Sequence, residues 1–283
     1  MDHKSPLSKV LNMKKSQKIE EKAKLLWGKN LHHETKGPVH CNQLKEVFKD
    51  RWDKSLYGKL LEIGCGNGSD LEVFLNNKNI SHITAIDLGE NIHKLSEIYK
   101  DNDDIVVEHG NALSLSFEKN EFDIIYSFGV FHHTSDPIKC ISEAHRVLKN
   151  KGSLFLYLYS SHEDLILKKI GISIESTIMK TFQFIPFSLQ SIVCNILSPF
   201  CWIIFSAPSL ILKIMGFKTL AKKFPFYFGL HPFSLVSDLK DRLMSPINHR
   251  FSKSETEKIL IPFNFYFSEV VKTSSGLYIF AQK

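Results

Sequence analysis

Residues 60–68 read Leu60-Leu61-Glu62-Ile63-Gly64-Cys65-Gly66-Asn67-Gly68. Leu60, Leu61 and Ile63 make a short apolar run of the kind that forms a buried strand. Three glycines then stand at alternate positions, Gly64, Gly66 and Gly68. Ser69 and Asp70 follow where a helix cap is expected, ahead of Leu71-Glu72-Val73-Phe74-Leu75. Strand, glycine turn and helix start together are how an α/β sheet makes a floor for a nucleotide-like ligand. Glycine lets the backbone take φ > 0 and come close to what is bound.

Outward from this stretch the chain alternates strands and helices. Strands are predicted at 59–63, 82–86, 105–108, 122–127 and 153–159, and helices at 70–75, 91–100 and 137–148. Asp136 caps the last of these helices, with Pro137 in its first turn, and Asn150-Lys151-Gly152 is expected to end it. Short apolar runs separated by helical patterns imply a parallel sheet with helices on both faces. Near the end, Ser252 or Ser254 can cap a further helix, and Ser254 to Glu257 has capping-box spacing. Two strands at 264–271 and 277–281, turning at Ser274-Ser275-Gly276, then complete a seven-stranded sheet. Four regions follow: an N-terminal helical extension (1–56), a Rossmann-like core (57–160), an apolar helical insertion (161–250), and a helix with a closing strand pair (251–283).

The extension is read as two helices, 14–27 with Ile19, Ala23 and Leu26 on one face, and 41–52. His32, His33, Glu34 and His40 lie between them, but Gly37-Pro38 breaks any helical ligand spacing, so no metal is expected. The net charge is +6, and residues 1–30 supply most of it with eight Lys against three acids. A near-neutral body argues against nucleic acid as a partner. The five cysteines are scattered without CxxC spacing and nothing reads as a signal peptide, so a reduced, cytoplasmic setting is expected.

The insertion carries no charged residue and no His through the 32 positions 181–212, which Lys180 and Lys213 bracket. Pro186, Pro199 and Pro208 divide the run, and Gln183, Gln190 and Asn195 lie inside it. Three arrangements fit: short helices capping the site, a hairpin resting in a membrane interface with flanking lysines, or a membrane span. The first makes the pocket mostly apolar, and the second makes 181–212 a peripheral membrane contact.

In an open parallel sheet the ligand lies beyond the carboxyl ends of the strands. Here those ends present Glu62 and the glycines, then Asp87, Asn111-Ala112, and Ser127-Phe128-Gly129-Val130 followed by Phe131-His132-His133. Asp87 lies 23 residues after Gly64, where a carboxylate can accept both hydroxyls of a ribose. The glycine spacing is not the G-x-G-x-x-G of a dinucleotide site, and no Lys-Ser/Thr marks a Walker loop. An acid ahead of the glycines suits a ligand with a cationic end better than a diphosphate.

Three runs, LLEIGCGNGSD at 60–70, AIDLGENI at 85–92 and EHGNALSLSFEKNEFDIIYSFGVFHHTSDPIKCISEAHRVLKNKGSLFLY at 108–157, resemble class I S-adenosylmethionine-dependent methyltransferases. Within that class they are most similar to the small-molecule group that includes quinone-biosynthesis enzymes. The resemblance implies strand order 3-2-1-4-5-7-6 and S-adenosylmethionine as cofactor. It implies Gly64, Gly66 and Gly68 along the methionine part with Glu62 beneath, Asp87 on the ribose and Leu88 on adenine. It also implies Asn111 and Ala112 at the adenine amino group, where the family usually has Asp-Ala, and Ser127, Phe128, Gly129 and Val130 beside the sulfonium. His133 and His132 are candidate bases for an acceptor that starts protonated, with His249 and Tyr159 as weaker ones; Asp136 is better read as a helix cap. An apolar or lipid-like small molecule is the expected acceptor. A catalytically silent binding protein and a nicotinamide-dependent oxidoreductase are the competing readings.

Overall fold

The fold comes from a computed structural model that describes residues 21, 22, 24, 26, 39–226 and 229–283. The helix expected at 14–27 falls mostly outside the described residues, as do His32, His33 and Glu34. The sheet has seven strands: β1 (Gly58–Ile63), β2 (Ile80–Asp87), β3 (Ile105–His109), β4 (Phe122–Phe128), β5 (Leu148–Leu158), β6 (Phe267–Lys272) and β7 (Leu277–Gln282). Their order is β3-β2-β1-β4-β5-β7-β6, the order the resemblance implies. β1 to β5 pair in parallel, and β7 runs antiparallel between β5 and β6. The order reverses between β1 and β4, so the crevice opens at their carboxyl ends.

Both faces are covered because the strands alternate two apolar sets. On one face Leu60, Ile124 and Phe155 meet α1 (Val39–Phe48), α2 (Asp50–Ser55), α3 (Leu71–Leu75) and α4 (Ile92–Tyr99). Cys41, Leu44 and Phe48 recur along the buried side of α1, and Trp52 of α2 packs edge-on to Phe155 at 4.8 Å. On the other face Ile125, Leu154 and Ile279 meet α5 (Pro137–Val147) and α11 (Lys253–Leu260).

Several local expectations are corrected. The helix expected at 41–52 is two helices, because Lys49 takes φ 49° between them. Asp70 occupies the N-cap position of α3 but makes no capping hydrogen bond, since its side chain turns into the protein. Asp136 does cap α5, accepting from Lys139 N at 2.9 Å. Asn150-Lys151-Gly152 is no break, because β5 starts at Leu148 and continues through it with Lys151 at φ 66°. The capping box is Ser252 with Glu255, two residues earlier than Ser254 with Glu257.

The chain leaves the sheet at Tyr159 and returns beside it. Phe251 N donates to Tyr159 O at 3.0 Å and Ser161 N to Phe251 O at 2.8 Å. Between lie α6 (Ile166–Phe182), α7 (Phe187–Cys201), a π turn (Trp202–Ser206), α8 (Ala207–Ile214), α9 (Lys218–Ala221) and α10 (Val236–Met244). Only Pro186 divides the charge-free run, at the start of α7. Pro199 and Pro208 lie within one helical stretch of 28 residues, Phe187–Ile214. The π turn accommodates Pro208: Ala207 N reaches back to Trp202 O, just ahead of Pro208, which has no N–H to place. Phe182, Cys194, Leu235, Leu239, Leu243 and Met244 form a further core together with Leu26 of the N-terminal extension.

Candidate functional site

The glycine turn is built by backbone demands. Gly64 has φ 81°, and a Cβ there would lie 2.1 Å from Val130 Cγ2. Gly68 has φ 76°, and its Cβ would press on Leu95 at 2.8 Å. These two glycines serve the packing of the turn. Gly66, at φ 55°, and Gly129, at φ 78°, have nothing within 4 Å of an added Cβ, so they face open space. Asp87 at the end of β2 holds the turn, accepting Gly66 N at 2.9 Å and Gly89 N at 2.7 Å.

Beneath the turn Glu62 is buried, and its Oε2 has no hydrogen-bond partner among the described residues. Burial raises its pKa well above the carboxylate range, and the charges of Asp70 and Asp87 add to that. Asp70 is also buried and accepts from Tyr126 Oη at 2.8 Å, His40 Nδ1 at 3.0 Å and Cys41 N at 3.3 Å. Burial works against its ionisation, yet the His40 bond and charge, with Tyr126, outweigh it and hold the carboxyl below its usual range. His40 stacks on Phe128 at 4.3 Å, and Phe128 on Tyr157 at 4.2 Å. Helix α1 is thereby fixed as a roof over the strand ends.

A single cavity of about 1090 Å³ runs from this turn to the insertion. Its wall includes Glu62, Gly64, Gly66, Asp87 and Leu88 at one end. Asn111, Ala112, Phe128, Gly129, Val130 and His133 line it further along, and Tyr159 beyond them. Gly68, Ser127, His132 and His249 are not part of the wall. Ser127 is buried and donates to Ile63 O at 2.8 Å, tying β4 to β1. His132 is fully buried, stacks on Tyr159 at 4.0 Å, and has no hydrogen-bond partner on either ring nitrogen among the described residues. Burial, then His133, push its pKa well down, so it stays neutral.

His133 faces the cavity. Its Nδ1 lies 3.0 Å from Ile247 O and 3.1 Å from Ser245 Oγ, which itself donates to Ile247 O at 2.6 Å. Nδ1 must therefore carry a proton, which leaves Nε2 as the basic nitrogen. Nε2 lies 3.3 Å from Asp241 Oδ1, and Tyr159 Oη donates to the other oxygen of Asp241.

The insertion end of the cavity is not simply apolar. Ile172, Ile178, Leu197 and Phe205 line it, but Glu175, Asp238, Asp241, Arg242 and Arg250 do too. Arg242 holds Asp238 at 2.7 Å and Glu175 at 3.3 Å, and Arg250 also pairs with Glu175. Burial raises the Asp238 pKa and Arg242 counters it; burial and then Arg242 bring the Lys168 ammonium down to about 8. The sequence reading missed this cluster, as it missed His40 and the inward turn of Asp70. A signal for the cluster existed: Asp238, Asp241 and Arg242 stand at i, i+3 and i+4, one face of α10, beside an apolar face of Leu239 and Leu243.

A glycine turn at a sheet's switch point, an acid beneath it and an acid after the next strand define a nucleoside-binding α/β protein. Residues 61–156 match the family described as methyltransferase domain, a class whose methyl donor is S-adenosylmethionine. The chain is 32% identical over 143 residues to the 27-O-demethylrifamycin SV methyltransferase of Amycolatopsis mediterranei, covering 46% of this chain and 52% of that protein. It is 32% identical over 120 residues to the demethylmenaquinone methyltransferase of Staphylococcus saprophyticus, covering 41% and 50%. It is 28% identical over 138 residues to the tRNA U34 carboxymethyltransferase of Helicobacter pylori, covering 43% and 52%. The chain thus spans about half the length of the curated relatives it matches, and the acceptors in their names are chemically diverse.

The site fits the cofactor of its class. Glu62 Oε2 is an orphaned buried acceptor in the wall, and the open faces of Gly66 and Gly129 form a cradle that a Cβ would fill. The cavity also exceeds the roughly 300–1,000 Å³ of ordinary ligand pockets, which leaves room for a second molecule.

Proposed function

We propose that the chain is a methyltransferase that moves a methyl group from S-adenosylmethionine to a small acceptor with an apolar body and a polar end. The observation that carries this reading is Glu62: a buried carboxyl with one oxygen unpartnered among the described residues, beneath open glycines and in one cavity with the insertion. A cationic ligand group stabilises the ionised form of a carboxyl in that position, and the ammonium of the methionine moiety is one. Each Asp87 oxygen spends one lone pair on the turn and keeps another for a ribose hydroxyl. Leu88 offers an apolar face to adenine, with Asn111 and Ala112 at the same end of the wall. Residues 57–160 are assigned to the cofactor, with 251–283 completing their sheet, and residues 161–250 to the acceptor.

Bound there, the cofactor supplies an electrophilic methyl group for in-line displacement. The protein supplies alignment and excludes water. His133 is the residue suited to take a proton from the acceptor, because a proton arriving on Nε2 meets Asp241 as counter-ion at 3.3 Å. The apolar wall of the insertion favours an apolar body, and the arginine and carboxylate cluster favours a polar end. The five cysteines are all unpaired, which supports a reducing, cytoplasmic setting.

Calorimetric titration with S-adenosylmethionine and, separately, with a nicotinamide dinucleotide tests the cofactor. Labelled-methyl transfer into a cell extract split into lipid and aqueous fractions tests the acceptor. Label in the lipid fraction is expected. Binding of the dinucleotide but not of the sulfonium compound would sink the reading, and binding without transfer would make the chain a silent binding protein.

A further inference from the structure

The helical stretch Phe187–Ile214 is inside out for a protein surrounded by water. Ile196, Phe200 and Ile204 are 57%, 58% and 59% exposed, whereas Ser198, Ser206 and Ser209 are 0% exposed. Leu189, Ile192, Ile203, Ile211 and Ile214 extend the exposed row at helical spacing along the stretch. The buried face hydrogen-bonds to the protein instead. Ser198 Oγ donates to Pro232 O at 2.7 Å, Ser206 Oγ to Phe226 O at 2.6 Å, and Gln190 Nε2 to Phe182 O at 2.6 Å. An aqueous surface helix shows the reverse arrangement.

The charge around this row has one sign. Residues 176–237 contain no Asp or Glu and five Lys: Lys180, Lys213, Lys218, Lys222 and Lys223. Lys218, Lys222 and Lys223 are exposed next to the exposed Met215, Phe217 and Leu220. At the other end exposed Lys180 precedes Phe184, which is also exposed. An apolar row with a basic rim complements hydrocarbon beneath anionic headgroups.

We infer that Phe187–Ile214 lies in the plane of an anionic lipid bilayer, its exposed row immersed and its lysines at the headgroups. The stretch is long and apolar enough to cross a membrane. Crossing would strip Ser198, Ser206 and Gln190 of their partners in the domain, so the helix rests on the bilayer rather than through it. The inward residues Leu197, Cys201 and Phe205 line the cavity, so one helix separates bilayer from acceptor site. A membrane-dissolved acceptor then has a short route in, a consequence that rests on the proposed function, whereas the surface itself does not.

The test is sedimentation of the full chain with vesicles of phosphatidylcholine alone or with about one third phosphatidylserine. Binding to the anionic vesicles that weakens with salt is expected. Ile196→Asp with Ile204→Asp should lower it by about a hundredfold, roughly tenfold per buried side chain. Lys218→Gln, Lys222→Gln and Lys223→Gln together should lower binding to anionic vesicles only, by about fivefold per charge. Circular dichroism and a cofactor titration on the same samples show that the variants stay folded and separate a failed surface from a failed cofactor site. No sedimentation of the parent chain with anionic vesicles overturns the inference, as does equal sedimentation of the Asp variant. A dimer that the Asp variant splits, without vesicle binding, overturns it in favour of a second copy as the occupant.

Discussion

Exchange of Glu62 for Gln should stabilise the free protein and weaken cofactor binding at once. In the free protein this carboxyl is buried, one oxygen lacks a partner, and Asp70 and Asp87 repel its charge. A buried polar atom without a partner costs about 1–3 kcal/mol. Glutamine keeps the shape and some of that cost but cannot ionise, so a gain of about 1 kcal/mol in free-protein stability is expected at pH 7.5. The carboxyl's folded pKa is raised, so the stability tied to its proton is intact below about pH 4.5 and is lost as pH rises through the folded value. The advantage of the variant should therefore shrink toward zero near pH 4. In the complex, losing a charged hydrogen bond to an ammonium group costs about 1.5–3 kcal/mol, or about 10–150-fold in Kd. Urea unfolding at the two pH values and calorimetric titration with S-adenosylmethionine measure both terms. A variant that binds the cofactor within about twofold of the parent, or one less stable than the parent at pH 7.5, would refute the assignment of Glu62 to a cationic group.

Four further outcomes are expected. Gly64→Ala should lose about 2–4 kcal/mol in urea unfolding, from left-handed strain at φ 81° and contact with Val130. Gly66→Ala, with open space around its Cβ, should lose about 1 kcal/mol yet bind the cofactor about tenfold more weakly, since the methyl enters the cradle. Burial, then Lys168 and Arg250, bring the His162 pKa down to about 3. The unfolded chain thus takes a proton first: stability is intact above about pH 6.5 and falls by about 2 kcal/mol from this group by pH 5. His162→Asn, which tolerates the positive φ of 47°, should flatten that loss in urea unfolding at pH 7.5 and pH 5. Asp241→Asn should lower kcat by about a hundredfold with little change in KM if His133 takes a proton from the acceptor; unchanged kcat would remove His133 from that role.

The sheet was legible because its signals are local and redundant. Each strand is a short apolar run, each crossover has a helical period, and the glycine turn marks the switch point of the sheet. Side-chain direction was less legible. Asp70 stands at a cap position by sequence, and only the approach of α1 and β4 shows that His40, Cys41 and Tyr126 draw it inward. Ser127 and His132 sit among cavity residues in the chain but alternate away from the cavity in space. Which side of a strand end or short turn faces the ligand depends on the neighbouring element, and spacing alone does not carry that information.

The insertion shows a different limit. A charge-free run reads as a wall for an apolar pocket because hydrophobic residues are expected to turn inward. In this fold the run supplies one inner row to the cavity and a larger outer row to its surroundings, while serines and a glutamine anchor it to the domain. The polar part of the cavity comes from α10 and Arg250, where an i, i+3, i+4 set of charges would pass for a solvated face in isolation. Both assignments invert the usual rule, and for one reason. By the proposal and the inference above, two surfaces of the insertion meet environments other than bulk water, a ligand on one side and a bilayer on the other. The prolines point the same way: Pro199 and Pro208 would break a helix held only by its own ladder, yet a π turn carries the helix on and keeps the exposed row continuous for 28 residues. Continuity of that row is what a planar contact requires, so breaking the helix near the π turn should weaken vesicle binding even with every exposed side chain retained.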